Sequence, residues 1–196
     1  MVESAEKNLK PLTNFFYELG VLKRVPRSGW LTINIKDPET VAEHSFRAAA
    51  IAYTLALLEG ANPEHAAIMA LFHDSHESRI LDLHKISQRY IDTKPAESCA
   101  QKEQTEPLGL IGNDLNSFQK EFTNQKTKEA IIARDADLLE CITQAREYVK
   151  AGFTDANDWI INAKKFLQTS SAKQLAEELE ATDPNDWWRG LKNIMG

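Results

Sequence analysis

Cysteine is nearly absent: Cys99 and Cys141 are the two among 196 residues, and they form no CxxC pair. A disulfide framework is thereby disfavoured, and both read as free thiols of a reducing cytosol. Long apolar runs are missing too. None approaches the roughly 18 residues of a membrane span, so no membrane partner is expected. The first residues, Met-Val-Glu-Ser-Ala-Glu-Lys, are polar and charged, which leads us to expect no secretory signal and a cytoplasmic protein. A basic excess is also lacking, with 23 Lys and Arg against 29 Asp and Glu and a formal net charge of −6. That argues against a nucleic-acid polymer, because phosphate binding needs a basic face. A small anionic substrate stays open where positive charge is concentrated. Repeats, linkers and low-complexity stretches are missing as well. The expectation is one domain over residues 1–196, with its core at about 8–150 and the rest packing on it.

What is present is helical patterning. Leu9, Leu12, Phe15, Phe16 and Leu19 recur at spacings of three and four, predicting an amphipathic helix over 8–20 closed by Gly20 at its C′ position. Pro26 and Gly29 predict a loop, in which Lys23, Arg24 and Arg27 precede Trp30. These cations form the best local anion receptor in an acidic chain. The bland alternative is a solvated basic loop with Trp30 plugging the core. Leu31 to Ile35 alternates weakly and predicts a short extended segment. Thr40 and Glu43 have capping-box spacing, so a helix starts there and runs to about Leu58. Asn62-Pro63-Glu64 opens the next, which is apolar nearly all round down to His73 and predicts a central buried helix. One short helix is expected within 78–95, others around 97–106 and 114–123, and a long one from Thr127 to about Tyr148. Two or three shorter helices fill 155–194, with Trp187-Trp188 clamping the last. The class is all-α.

Chemistry concentrates at His73-Asp74-Ser75-His76-Glu77, at the end of that apolar run. Imidazole and carboxylate together suit first-row divalent metals. Two further candidates lie elsewhere. His44 sits in a first helical turn and alone reads as a core histidine. Asp137 precedes the Leu138-Leu139 pair, where a carboxylate at the core edge is costly unless paired or bound to metal. The order His44, His73-Asp74, Asp137 resembles the HD-domain metal-dependent phosphohydrolases. The likeness extends through Lys-Arg-Val-Pro-Arg-Ser-Gly-Trp, Glu43-His44-Ser45, His73-Asp74-x-x-Glu77, Leu81-Asp82-Leu83 and the run Arg134 to Glu140, roughly residues 10–150. Within that superfamily it is similar to the branch of YfbR-like 5′-deoxynucleotidases.

The resemblance implies a single helical HD domain, commonly a homodimer, whose long helix carries the last ligand. It implies that His44, His73, Asp74 and Asp137 hold one divalent ion, with Mn²⁺, Co²⁺ or Mg²⁺ as working metal and Zn²⁺ or Ni²⁺ as ions met in crystals. Glu77 matches the family's catalytic carboxylate, beside the ligand Asp74. Asp82 matches an acid near the nucleotide sugar, and Arg27 and Trp30 fall where relatives hold phosphate and stack on the nucleoside. The implied activity is release of phosphate from nucleoside 5′-monophosphates, with deoxyribonucleotides as the expected class. A dication lowers the pKa of its water and polarises a phosphoryl oxygen, so the chemistry agrees with these residue types. A phosphodiesterase or triphosphohydrolase of the same type is an alternative, and a non-catalytic helical module with a structural metal is a third. His76 reads as a bystander, Asp135 as a solvent-facing or salt-bridged neighbour and His65 as exposed. His84 stays open between a second-layer and a core role.

Overall fold

Three helices carry the interior, and their small residues decide how closely they meet. The computed structural model describes residues 8–191. Its α-helices are α1 Lys10–Leu19, α2 Val41–Glu59, α3 Pro63–Phe72, α4 Glu77–Ile80, α5 Lys85–Gln88, α6 Lys94–Thr105, α7 Leu110–Asn124, α8 Lys128–Lys150, α9 Asn157–Lys164 and α10 Ser170–Ala181. Helices α2, α3 and α8 pack on one another. Their shared core sets Ala48, Ala52 and Ala56 of α2 and Ala66 and Ala70 of α3 against Ala133, Ala136 and Ala145 of α8. Alanine keeps side chains out of the way, so the axes approach and the larger Leu55, Met69, Ile132, Leu139 and Ile142 fill what remains. Helices α9 and α10 then cover α8. The fold is all-α: among the described residues there is no strand, only the isolated bridge Pro26–Thr40. No helix among them is long and apolar enough to cross a membrane. The polar segment read as lacking a secretory signal lies outside the described residues.

Several expectations need correction. Gly20 does not close α1 in a left-handed cap; its φ is −62° and the chain runs on as a 3-10 helix, Gly20–Arg24. The stretch expected to be extended is a second 3-10 helix, Ser28–Ile33, because Trp30 must turn inward. Helix α3 buries Ala66, Met69 and Ala70, yet Ile68 and Leu71 stay exposed, so it is central without being enclosed. Asp135 is fully buried, not solvent-facing: its carboxylate accepts the backbone N–H of Gln168 at 2.9 Å and of Thr169 at 2.7 Å, and the Thr169 hydroxyl at 2.7 Å. It fastens the start of α10 to the middle of α8. His65 is half-buried, 2.8 Å from Glu121, and His84 caps α5 by accepting from Ser87 N–H. Of the Trp187-Trp188 pair, Trp187 is 76% exposed, whereas Trp188 is half-buried and its indole N–H donates to Asn185 at 3.1 Å.

The first loop is fixed by two backbone hydrogen bonds across the Pro26–Thr40 bridge. Arg27 N–H donates to the Glu39 carbonyl and Val41 N–H to that of Val25, both at 2.9 Å. Arg27 is thereby held beside the first turn of α2. That turn carries His44.

A candidate metal centre

The capping box at the head of α2 is intact. Thr40 accepts from Glu43 N–H, and the Glu43 carboxylate accepts from Thr40 N–H at 2.7 Å. This fixes the first turn and leaves His44 one turn in, with none of its surface exposed. Helix α3 stops at Phe72. His73 is its cap, and a tight turn follows in which Ser75 N–H donates to Phe72 and Glu77 N–H to Asp74. His73 and Glu77 therefore do not share one continuous helical face; the turn carries Asp74 inward and restarts as α4. Asp137 sits midway along α8.

These segments converge. His44 Nε2 lies 3.2 Å from Asp137 Oδ1 and 3.9 Å from Asp74 Oδ2, while His73 Nε2 lies 3.0 Å from Asp74 Oδ2 and 3.8 Å from Asp137 Oδ1. Ligand-type atoms of His44, His73 and Asp74 thus lie within 4.8 Å of one another, and Asp137 Oδ1 stands against both imidazoles. The nitrogens' protons are spoken for on the other side of each ring. His73 Nδ1 stands 2.7 Å from the Ala70 carbonyl, which can only accept, so Nδ1 carries a hydrogen and Nε2 is the nitrogen turned to the carboxylates. His44 Nδ1 stands 2.5 Å from Glu140 Oε2 in the same sense. His44 Nε2 is buried without a hydrogen-bond partner; the close Asp137 oxygen lies out of line for one. A lone pair buried and unanswered among carboxylates fits a cation, and the donor set fits a first-row dication. The residues present therefore suit the metal that the resemblance implies.

The surroundings are built for charge. Burial pushes the Asp74 carboxyl up, but His73 and Arg27 outweigh it and hold it well below the usual carboxylate range. Burial likewise opposes ionisation of Asp137, and Arg134, His44 and His73 overcome it. Arg27 Nη1 donates to Asp74 Oδ2 at 3.2 Å, and Arg134 Nη1 to Asp137 Oδ2 at 2.6 Å. Glu77 differs. It is 9% exposed, its Oε2 is buried with no partner, and burial, reinforced by Asp74, pushes its carboxyl well above the ordinary range.

Of the residues singled out from the sequence, His44, His73, Asp74, Asp137, Glu77 and Arg27 come together. Asp82 stands behind the loop: its Oδ2 accepts Ser28 N–H at 2.5 Å, and the Ser28 hydroxyl donates to the Asp82 carbonyl at 2.8 Å. Trp30 does not join. It is 2% exposed, its indole N–H donates to Glu39 at 3.0 Å, and its ring packs on Tyr148 and Trp159, so no face is left for a nucleoside. Of the three loop cations only Arg27 reaches the site. His76 is no surface bystander; it is 5% exposed and its Nδ1 lacks a partner. The residues that sequence reasoning missed are Glu140, Arg47 and Arg134. Glu140 lies one turn beyond Asp137 on the same helix, a spacing that placed it on the ligand's face.

The family model described as HD domain matches residues 19–182. The chain belongs to the HD domain family. Its curated relatives include the 5′-deoxynucleotidase HDDC2 of Danio rerio, 33% identical over 149 residues, covering 70% of this chain and 69% of that protein. The HDDC2 protein of Bos taurus is 30% identical over 185 residues, 89% of this chain and 87% of the relative. Among solved structures, a conserved hypothetical protein from Pyrococcus furiosus superposes with a TM-score of 0.73 at 30% identity, over 87% of this chain and 99% of that one. In this HD domain the dipeptide that gives the family its name is His73-Asp74.

Proposed function

We propose that the chain is a metal-dependent 5′-nucleotidase releasing inorganic phosphate from nucleoside 5′-monophosphates, with deoxyribonucleotides as the preferred class. The observation that carries the reading is the pairing of a metal-suited His44-His73-Asp74-Asp137 quartet with a guanidinium, Arg27, on one of its carboxylates. Relatives named 5′-deoxynucleotidase support the substrate class. His44, His73, Asp74 and Asp137 would hold the ion, with Mn²⁺, Co²⁺ or Mg²⁺ as working metal. Bound there, it would supply a nucleophile at neutral pH and polarise a phosphoryl oxygen.

The chain's own residues do the rest. Arg27 is shared with Asp74 and is free to turn its remaining N–H groups to phosphate oxygens. Glu77, whose carboxyl is pushed above its ordinary range by burial and by Asp74, is the group to hand a proton to the departing 5′-oxygen. Asp82 uses Oδ2 to fix Ser28 N–H, which leaves Oδ1 to accept from a sugar hydroxyl. Trp30 acts from below as the plug that keeps the Arg27 loop in place. A single domain, a homodimer and a reducing cytoplasmic setting complete the proposal, supported by exposed Phe16, Tyr17 and Leu110 and by the free thiols Cys99 and Cys141. Phosphate release from a panel of deoxynucleoside and nucleoside monophosphates, with Mn²⁺ or Co²⁺ added, tests it.

A further inference from the structure

A cleft of about 830 Å³ opens beside the head of α2, and none of the residues assigned above to metal, phosphate or sugar lines it. Its volume falls in the range of small-molecule sites. Arg24, a loop cation that the metal centre does not use, is found here together with Lys36. Arg24 and Lys36 line the cleft, both are exposed, and among the described residues neither makes an ion pair or side-chain hydrogen bond. Phe46, 73% exposed, gives the cleft an aromatic wall. Asp37 and Glu43 lie in the same lining, so it is not a purely cationic trap.

That mixture selects a ligand class. A bare inorganic anion would meet Arg24 and Lys36 but also the three carboxylates of Asp37, Glu39 and Glu43, which repel it. A molecule that carries a phosphate, hydroxyl or amino donors and a flat ring answers all three features at once. We propose that this cleft is a second nucleotide site, with the phosphate at Arg24 and Lys36, the base on Phe46 and sugar hydroxyls turned to Asp37 and Glu43.

The cleft is wired to the metal centre. Arg47 forms part of its lining and donates from Nε to Glu140 Oε1 at 2.8 Å, from Nη2 to Gln144 at 2.6 Å and from Nη1 to Glu147 at 2.9 Å. Glu140 in turn holds His44 Nδ1. A nucleotide drawing on Arg47 changes its grip on Glu140, and the coupling between cleft ligand and metal is reciprocal. The proposal does not require turnover, so it stands or falls apart from the nucleotidase reading.

The test is calorimetric titration of the full chain, stripped of metal by a chelator and dialysed, with adenosine 5′-monophosphate. Saturable binding is expected in the wild type and in Arg27→Ala. The double variant R24E/K36E should bind at least about tenfold more weakly, the loss expected for charge-assisted contacts. Both side chains are exposed and unpaired, so this variant should keep its helical circular dichroism and its Co²⁺ binding. Phe46→Ala supplies an independent weakening. Absence of wild-type binding overturns the proposal. So does binding that survives R24E/K36E and disappears in Arg27→Ala, which places the nucleotide in the metal pocket. Inorganic phosphate binding as tightly as the nucleotide overturns the ligand class.

Discussion

Glu140 Oε2 lies 2.5 Å from His44 Nδ1, on the side of the ring turned away from Asp74 and Asp137. Neither surface is exposed. Burial alone would raise the Glu140 carboxyl, but hydrogen bonds and charge from His44 and Arg47 hold it below its ordinary value. It therefore accepts from two donors, and it decides which nitrogen of His44 keeps the proton. The ligand is positioned from behind.

Replacing Glu140 with Gln puts an amide N–H₂ where a donor already points, at His44 or at Arg47. The His44 ring then loses its fixed tautomer. Metal affinity should fall by about 10- to 100-fold, the range seen when outer partners of a ligand are removed. Competition with a fluorescent chelator measures it, and an unchanged affinity would remove Glu140 from the account.

Glu77 has a different role, and the difference is measurable. Its Oε2 is buried without a partner and is not among the four converging ligand atoms. Glu77→Gln should leave bound metal intact by elemental analysis while turnover drops by about 10² to 10⁴, the usual range for a lost proton-transfer group. Loss of metal together with activity would make Glu77 a ligand.

Arg27→Ala should act on kcat/KM through phosphate binding, with a decrease of about 10- to 100-fold for one charge-assisted contact. Arg27→Lys should recover only part of it, because an ammonium cannot offer the forked geometry of a guanidinium. Steady-state kinetics on a nucleoside monophosphate distinguish these outcomes. Equal activity of Arg27→Lys and wild type would mean that only charge matters at that position.

Asp135 offers a contrast within two residues of a ligand. Its carboxylate caps α10 through Gln168 and Thr169. Asp135→Asn should cost about 1–3 kcal/mol of stability, from lost hydrogen bonds to a buried acceptor. Urea denaturation should register that loss, while the folded variant keeps wild-type metal content. A variant as stable as wild type but unable to hold metal would reverse the assignment.

Those two aspartates explain what could be read from the sequence. Helical spacing gave α2, α3 and α8 because apolar periodicity and the Thr40-Glu43 capping box are local signals. The order His44, His73-Asp74, Asp137 was readable because its pattern resembles one family. Asp135 and Asp137 look alike in a sequence, and only tertiary packing shows that one faces the ligands and the other the start of α10. Trp30 lay in a segment suited to stacking, yet Glu39, Tyr148 and Trp159 enclose it, and two of these come from α8 and α9, more than a hundred residues away. His76 has no local signal in the sequence for the burial that the turn between α3 and α4 imposes on it. Long-range contacts were the missing information.

The most direct measurement of the central claim is phosphate release from a deoxynucleoside 5′-monophosphate by protein first stripped of metal and then reloaded with Mn²⁺ or Co²⁺. The account predicts no release from the stripped protein, recovery at one ion per chain, and loss of both ion and activity in His44→Ala. Full occupancy of the metal site with no phosphate released from any nucleoside monophosphate would contradict it.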